Sequence, residues 1–151
     1  MTLNKKRFLL LGQAELYHLL FTPYIKWKSL RFIFATELKK KAQDLKNLFQ
    51  GLTVLDWGEL PDFDMIINAT SVGLNNSESI NLDFSKINAG KFFYDVIYNP
   101  YETNFLKTGK QLGNKIENGK KMFIYQASES FKVWHGIKPE INIEIDNLLS
   151  Q

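Results

Sequence analysis

Two short segments of this sequence carry polar groups in patterns that suit small-ligand binding. Residues 68–73 read Asn-Ala-Thr-Ser-Val-Gly; their small side chains leave backbone N–H groups accessible, and the Asn, Thr and Ser side chains can form hydrogen bonds. Residues 95–100 read Asp-Val-Ile-Tyr-Asn-Pro, and Gln126 further on can both donate and accept hydrogen bonds. Plainer interpretations stay open: a polar loop with Gly73 in a left-handed conformation, a packed Tyr98 ring and a surface amide at Gln126.

Several other kinds of chemistry find no support in the sequence. The only histidines, His18 and His135, are interpreted as surface or helix-capping residues, and cysteine is absent. We therefore predict neither a disulfide nor a metal site. No Ser-His-Asp arrangement or Walker-type phosphate loop is present. The basic residues do not alternate with aromatic ones on one element, so nucleic-acid binding is not predicted.

Size and composition indicate one ordinary globular domain spanning residues 1–151. The chain is 44% hydrophobic and 23% charged, close to the globular average. A net charge of +3 suits either an anionic ligand or a plain solvated surface. Residues 5–11 superficially imitate a signal peptide, but the apolar run is short and better suits a first strand. No run approaches the ~20 apolar residues of a membrane span, so we expect a soluble, cytoplasmic protein.

The arrangement of apolar runs predicts an α/β, doubly wound, mainly parallel sheet of about six strands with helices on both faces. Brief, near-continuous apolar runs of this kind are typical of strands buried on both faces. The predicted strands are 7–11, 30–35, 53–56, 65–68, 92–96 and 115–117. The predicted helices are 13–22, 38–49 and 103–113, the last capped by Thr103 or Asn99 and ended by Gly113.

Two further helices are predicted toward the C-terminus. After Gly119, apolar residues recur every three or four positions, which predicts a helix with one buried face; they are Phe123, Ala127, Phe131 and Trp134. Pro139 suits the first turn of a terminal helix with an apolar stripe at positions 141, 145 and 148. Folds that alternate strands and helices in this way bind ligands at the carboxyl ends of their strands.

The motifs at 68–73 and 95–100, followed by Gln126-Ala127 and then Phe131, Trp134 and Gly136, resemble the C-terminal, NADP-binding half of the shikimate dehydrogenase family. The resemblance implies a Rossmann-like dinucleotide-binding domain. It also implies an oxidoreductase that interconverts 3-dehydroshikimate and shikimate in aromatic amino-acid biosynthesis, the chorismate pathway.

The resemblance also assigns roles to individual residues. It places the 68–71 segment along the cofactor, Val96 and Gly119 against the nicotinamide, and Met122 near the same ring. It places the Tyr98 phenol near the substrate carboxylate and ring hydroxyls, and makes Gln126 a substrate-binding amide. The implied cofactor residues in this part of the chain are Asn68, Ala69, Thr70, Ser71, Val96, Gly119 and Met122.

The turn after the first strand matches a dinucleotide-binding turn only in part. Such a turn needs three small positions, for a tight bend, close approach of pyrophosphate and close helix packing. Gly12 satisfies the first, and Gln13 follows it. Ala14 stands at the second position and Tyr17 at the third, and Glu15 would repel a pyrophosphate at the helix N-terminus. A strand-helix turn that binds nothing is the equally weighted alternative.

The tip of the second strand bears on the choice between NADP and NAD. The family usually has an arginine here for the 2′-phosphate, whereas this chain has Thr36-Glu37. A carboxylate suits the 2′-hydroxyl of NAD, so Glu37 argues against NADP and weakly for NAD. The lysines at 39–41 could reach a phosphate instead, although a solvated helix face is the plainer interpretation.

The resemblance leaves this chain without the family's catalytic groups. Hydride transfer from a secondary alcohol needs a general acid/base, which the family supplies as a lysine beside an aspartate in its N-terminal substrate domain. No counterpart is recognised in these residues, so no catalytic residue is assigned and we expect the chain alone to be inactive. Two hypotheses follow: a truncated or split enzyme half that needs a separate substrate domain or a homodimer, or a non-catalytic remnant serving as a binding or scaffold module.

Overall fold

The protein is built around a parallel sheet at whose centre the first strand lies. The computed structural model describes residues 6–12, 31–36 and 52–142, together with residues 145 and 147. Six strands lie within these ranges, in the order β3-β2-β1-β4-β5-β6, and each neighbouring pair is parallel. They are β1 Arg7–Gly12, β2 Arg31–Thr36, β3 Leu52–Asp56, β4 Met65–Ala69, β5 Phe92–Asp95 and β6 Lys115–Glu117. The predicted six-stranded parallel sheet is confirmed.

The strand order places a change of chain direction between β1 and β4. Strands β2 and β3 extend the sheet to one side of β1, and β4, β5 and β6 extend it to the other. Gly12 and Ala69 are register partners where these two strands end. Open α/β sheets bind ligands in the crevice outside the carboxyl ends of the strands at such a point. The sheet therefore brings Gly12, the last residue before the predicted first turn, and the 68–73 loop to the same edge.

Two α-helices and a short 3₁₀ helix accompany the later strands. Helix α1 spans Asn104–Gln111, α2 spans Lys120–His135, and the 3₁₀ helix spans Phe84–Lys86. Of the two predicted caps, Thr103 is the one used: its side-chain oxygen accepts from the N–H of Leu106. Gly113, just beyond α1, has a φ of +74°, as expected of a residue that ends a helix. The predicted helices at 13–22 and 38–49 lie outside the described residues, so helices on both faces stay a prediction.

An aromatic cluster forms the core between the sheet and α1. Phe93 is fully buried on β5, and its ring centroid lies 5.1 Å from that of Phe105, 5.8 Å from Phe84 and 6.2 Å from Phe63. Leu9, Leu11, Ile66 and Leu106 pack in the same core. Such tilted and edge-to-face ring pairs stabilise beyond the area they bury. The packing holds α1 against β5 and so fixes the segment that joins them.

Helix α2 forms as predicted, but the prediction of its buried face is wrong. The side chains it buries are Lys120, Ile124 and Ser128. The predicted stripe is exposed instead, with Phe131 at 41% and Trp134 at 76% of full exposure. The spacing of apolar residues shows only that one face of the helix is apolar. A helix face that binds a partner has the same spacing as a face that packs in the core.

The predicted start of the terminal helix at Pro139 is also wrong. Residues 137–142 are not helical, and the Asn142 side chain accepts from the N–H of Ile145. This is the bond by which a capping side chain begins a helix. Pro139 therefore lies before the cap, and most of the segment predicted as helical lies outside the described residues.

Ion pairs lie at the amino-terminal edge of the sheet, opposite the edge at which the strands end. The Asp64 carboxylate accepts from the backbone N–H of Arg7 at 2.8 Å and from the Lys6 ammonium at 3.0 Å. The Arg7 hydrogen bond, followed by that of Lys6, holds the pKa of Asp64 below its usual value. Asp62 pairs with both Arg7 and Lys91. These contacts tie the start of β1 to the segment that leads into β4.

We expect Asp64→Asn to lower the free energy of unfolding by about 1 kcal/mol at pH 7. A carboxylate whose folded pKa is depressed stabilises the fold above its unfolded pKa, and this contribution is lost as the pH falls through the folded pKa. Urea unfolding of both proteins should therefore show a difference at pH 7 that shrinks below about pH 4. A difference that does not change with pH would show that the carboxylate charge is not responsible.

Candidate functional site at the carboxyl edge of the sheet

The segment after β5 lies against the start of helix α2. The backbone N–H of Gly119 donates to the carbonyl of Ile97 at 3.1 Å. A methyl group on Gly119 would lie 1.9 Å from the carbonyl oxygen of Val96, so only a hydrogen fits there. The structure therefore places Val96 and Gly119, both predicted from the sequence, in direct contact.

Tyr98 stacks on an aromatic side chain of α2. Its ring centroid lies 4.6 Å from that of Phe123, with the two planes inclined by 24°. Phe123 lies one turn into α2, and its N–H donates to the carbonyl of Gly119. Sequence reasoning missed this contact and assigned Phe123 to a buried face. The available indication was its spacing, since it lies four residues after Gly119 and three before Gln126 on one helix face.

The remaining candidates on α2 follow the same helix. Met122 is half-buried in its first turn, and the Gln126 side chain is exposed one turn further on. Phe123 and Gln126 share a face because residues three apart are neighbours on a helix. On this face of α2, Gln126 therefore lies one turn beyond Phe123, the residue on which Tyr98 stacks.

The 68–73 loop is held by its own first residue. Asn68 is fully buried, and its side-chain nitrogen donates to the carbonyl of Val72 and to Asp95, each at 3.1 Å. Its side-chain oxygen accepts from the N–H of Thr70 at 3.0 Å and from the Thr70 hydroxyl at 2.7 Å. Ala69 is buried, Thr70 is half-buried and Ser71 is exposed. Within this loop, Ser71 is the predicted cofactor residue most accessible to a ligand.

A buried carboxylate connects this loop to the segment after β5. Asp95 is fully buried and accepts from Asn68 at 3.1 Å, from the N–H of Ile97 at 3.0 Å and from the Thr103 hydroxyl at 2.6 Å. Burial raises the pKa of Asp95, and the three hydrogen bonds oppose that rise. We call Asn68, Asp95 and Thr103 the Asp95 hub. The hydrogen bonds of the hub join the 68–73 loop, the segment after β5 and the start of α1.

Other predicted cofactor residues lie at the ends of β1 and β2 or beyond them. Gly12 is buried, and a methyl group there would lie 3.0 Å from the carbonyl oxygen of Ala69. Thr36 is the last residue of β2. Gln13, Ala14 and Glu37 lie outside the described residues, so the turn they were predicted to form stays a prediction.

The residues that the structure describes lack two general features. They contain no group of three or more His, Asp or Glu side chains that could hold a metal ion. They also include no helix long and apolar enough to cross a membrane.

Comparison with known proteins gives this edge of the sheet a context. No protein-family model matches the chain. The chain is 45% identical over 146 residues to the shikimate dehydrogenase (NADP(+)) of Pelagibacter ubique strain HTCC1062, covering 97% of this chain and 55% of the relative. The chain is homologous to shikimate dehydrogenases over about half of the length of those proteins. It spans about half the length of the curated relatives it matches, consistent with the C-terminal, NADP-binding half.

Solved structures agree on the fold. Shikimate dehydrogenase from Aquifex aeolicus matches with a TM-score of 0.78 and 25% identity, over 98% of this chain and 54% of that one. Quinate dehydrogenase from Corynebacterium glutamicum, in complex with NAD, matches with a TM-score of 0.81 and 20% identity, over 98% of this chain and 56% of that one. The predicted Rossmann-like fold is confirmed, and its relatives include both NADP- and NAD-associated proteins.

Proposed function

We propose that this chain is the dinucleotide-binding half of a cytoplasmic, NADP-dependent shikimate dehydrogenase, folded as one domain over residues 1–151. The observation that carries the proposal is the 45% identity to such an enzyme over 97% of the chain. The contact between Val96 and Gly119 supports it, because it brings together two residues that the resemblance places at the nicotinamide.

The residue roles in this proposal are those that the resemblance to the shikimate dehydrogenase family implies. Val96, Gly119 and Met122 line the nicotinamide, while Tyr98 and Gln126 contact the substrate. A hydride transfer also needs a group that moves the hydroxyl proton. We assign no such group to this chain, because the resemblance places the lysine and aspartate of the family in its other half. The chain alone is therefore proposed to bind cofactor without turning over substrate.

NADP is the proposed cofactor, bound weakly. The sequence of the first turn argues for low affinity, because Ala14 stands where a glycine would let the pyrophosphate approach and Tyr17 stands where a small residue would let the helix pack closely. Glu37 keeps NAD as the alternative, and the relatives named above include one in complex with NAD. Removing the methyl group in an Ala14→Gly variant should tighten NADPH binding if the first turn limits affinity.

The partner is proposed to be a substrate domain that docks on the exposed side of α2. On this side of α2, Phe131 is 41% and Trp134 76% exposed. Exposed apolar patches of this kind mark interaction surfaces. The patch continues along α2 from Phe123, on which Tyr98 stacks, so a domain covering it would lie beside the proposed substrate residues. Relatives almost twice as long as the chain argue for this occupant over a second copy.

The first experiment is a titration of the purified chain with NADPH and NADH, followed by nicotinamide fluorescence. We expect weak binding, stronger for NADPH. The substrate domain of the Pelagibacter relative is then added, and shikimate-dependent formation of NADPH is recorded. Turnover should appear only with both polypeptides present. Turnover by the chain alone would contradict the assignment of catalytic groups to the other half.

A matched variant separates docking from cofactor binding. Trp134→Lys changes an exposed side chain, so we expect little loss of stability. It should abolish turnover in the mixture and leave NADPH binding unchanged. If Trp134→Lys instead dissociates a homodimer of the wild-type chain, the occupant of this face is a second copy.

The second candidate function is a non-catalytic binding or scaffold module. The observation in its favour is the altered first turn, where Glu15 would repel a pyrophosphate in addition to the changes at Ala14 and Tyr17. This candidate predicts no binding of either dinucleotide and no turnover after the substrate domain is added. Association through the α2 face would then be the only activity retained.

A further inference from the structure

We propose that Asp95 is a positioning residue that holds the 68–73 loop and the Val96–Tyr98 segment in one fixed relation. The consequence for ligand binding rests on the proposed function, whereas the mechanical claim rests on the Asp95 hub alone. Asp95 lies at the end of β5 and contacts groups from three separate segments. The resemblance assigns it no ligand contact.

Both oxygens of the Asp95 carboxylate accept hydrogen bonds from groups of the protein. It is fully buried, and every hydrogen bond it makes is one it accepts: from Asn68, from the N–H of Ile97 and from the hydroxyl of Thr103. A carboxylate is the one side chain of this size that offers only acceptors. An amide at this position would turn a donor toward one of the three donors already there.

Hydrogen bonds of Asn68 connect Asp95 to the 68–73 loop. Asn68 gives one hydrogen to Asp95 and the other to the carbonyl of Val72, so its orientation is fixed. Its oxygen then holds the N–H and hydroxyl of Thr70, and that hydroxyl accepts from the N–H of Val72. Gly73 packs against Thr103, where a methyl group would lie 3.3 Å from the threonine side chain. The loop backbone is set by the hub at both of its ends.

A hydrogen bond from Ile97 connects Asp95 to the segment that carries Tyr98, the proposed substrate residue. The N–H of Ile97 donates to Asp95, and its carbonyl accepts from the N–H of Gly119. Tyr98 therefore follows a residue held at both backbone groups, and its ring is supported by Phe123. One carboxylate thus connects the loop proposed to face the cofactor with the tyrosine proposed to face the substrate.

The same geometry changes the role of Asn68. The resemblance places Asn68 along the cofactor, but its side chain is fully buried and both of its polar atoms are engaged within the protein. We assign it to the hub. Its effect on cofactor binding is indirect and passes through the backbone of the loop.

The test compares Asp95→Asn with a pair of variants at Thr103. Thr103→Ser keeps the hydroxyl that donates to Asp95 and caps α1, whereas Thr103→Val removes both contacts with little change of shape. Ile87→Val, at a residue that packs against the core and makes no hydrogen bond to the hub side chains, serves as a stability control. Amide hydrogen exchange is followed by NMR for Thr70, Val72 and Ile97, whose N–H groups donate within the hub or loop.

We expect Asp95→Asn and Thr103→Val to speed exchange at these amides by about tenfold, equivalent to about 1.4 kcal/mol. In Thr103→Ser, the exchange rates of these amides should stay near wild type. In Ile87→Val, their exchange rates should not change relative to those of the sheet amides. Exchange in Asp95→Asn equal to wild type, or an equal increase in Ile87→Val, would overturn the proposal. If Asp95→Asn does not fold, the comparison of Thr103→Ser with Thr103→Val decides.

An NADPH titration of the same variants tests the consequence for ligand binding. The dissociation constant should rise about tenfold in Asp95→Asn and Thr103→Val and stay near wild type in Thr103→Ser. Unchanged affinity together with faster exchange would overturn the link between hub and cofactor. A wild-type chain that binds no NADPH would overturn the proposed function, while amide exchange would still decide whether Asp95 positions the loop.

Discussion

Replacing Gly119 with alanine should destabilise the protein by about 3 kcal/mol or more, at the upper end of what overpacking does. The backbone of Gly119 has a φ of −74°, which any residue adopts, so the effect is purely steric. The added methyl group would lie 1.9 Å from the oxygen and 2.4 Å from the carbon of the Val96 carbonyl. Backbone atoms cannot rotate away, so the start of α2 must move by about 1 Å.

Gly136→Ala provides the matched control, because it introduces the same methyl group at the other end of α2. Gly136 has a φ of +71° and nothing within 4 Å of the position of a methyl group, so only backbone strain of about 1–2 kcal/mol is expected. Urea unfolding of both variants gives the comparison. If the proposed function holds, Gly119→Ala should also abolish turnover in the mixture with a substrate domain, since it displaces Val96, the residue proposed to line the nicotinamide. A Gly119→Ala protein no less stable than Gly136→Ala would contradict the contact.

The second large effect is expected from Gly109→Ala on helix α1. Alanine in place of glycine within a helix ordinarily stabilises by about 0.5–1 kcal/mol. Here the added methyl group would lie 2.6 Å from Cγ of the Phe93 ring. Phe93 is fully buried among other rings and has no room to move. The clash should outweigh the helical preference and give a net loss of about 1–3 kcal/mol.

A double-mutant cycle with Phe93→Ala identifies the cause. Alanine removes Cγ and Cδ1 of Phe93, the two atoms nearest to the added methyl group, so Gly109→Ala should be far less destabilising in the Phe93→Ala background. The expected coupling energy is about 1–2 kcal/mol, measured by urea unfolding of the four proteins. Additive effects would show that Phe93 is not the obstacle and that Gly109 is required for another reason.

The strands could be predicted from the sequence because their signal is local. The run at 7–11 and the run at 92–96 each match an observed strand within about one residue. Thr103 was predicted as a cap for the same reason, since capping depends on residues three positions apart. The parallel arrangement followed from the alternation of strands and helices. These features depend on neighbours along the chain.

The exposed face of α2 could not be predicted, because periodicity does not identify what a helix faces. Phe131 and Trp134 repeat like core residues, while Lys120 and Ser128 are the buried ones. The Asp95 hub was likewise beyond the sequence, because Asn68, Asp95 and Thr103 meet only after three segments have folded together. Motif residues were assigned outward toward ligands, whereas the structure turns the Asn68 side chain inward.

The exposure of Trp134 gives this protein a built-in optical reporter. An indole in water emits at longer wavelength than an indole in apolar surroundings, and Trp134 is 76% exposed. A polypeptide that buries the Trp134 indole in apolar surroundings shifts the emission of that indole toward the blue. Binding of the proposed substrate domain can therefore be followed without a label, separately from any turnover.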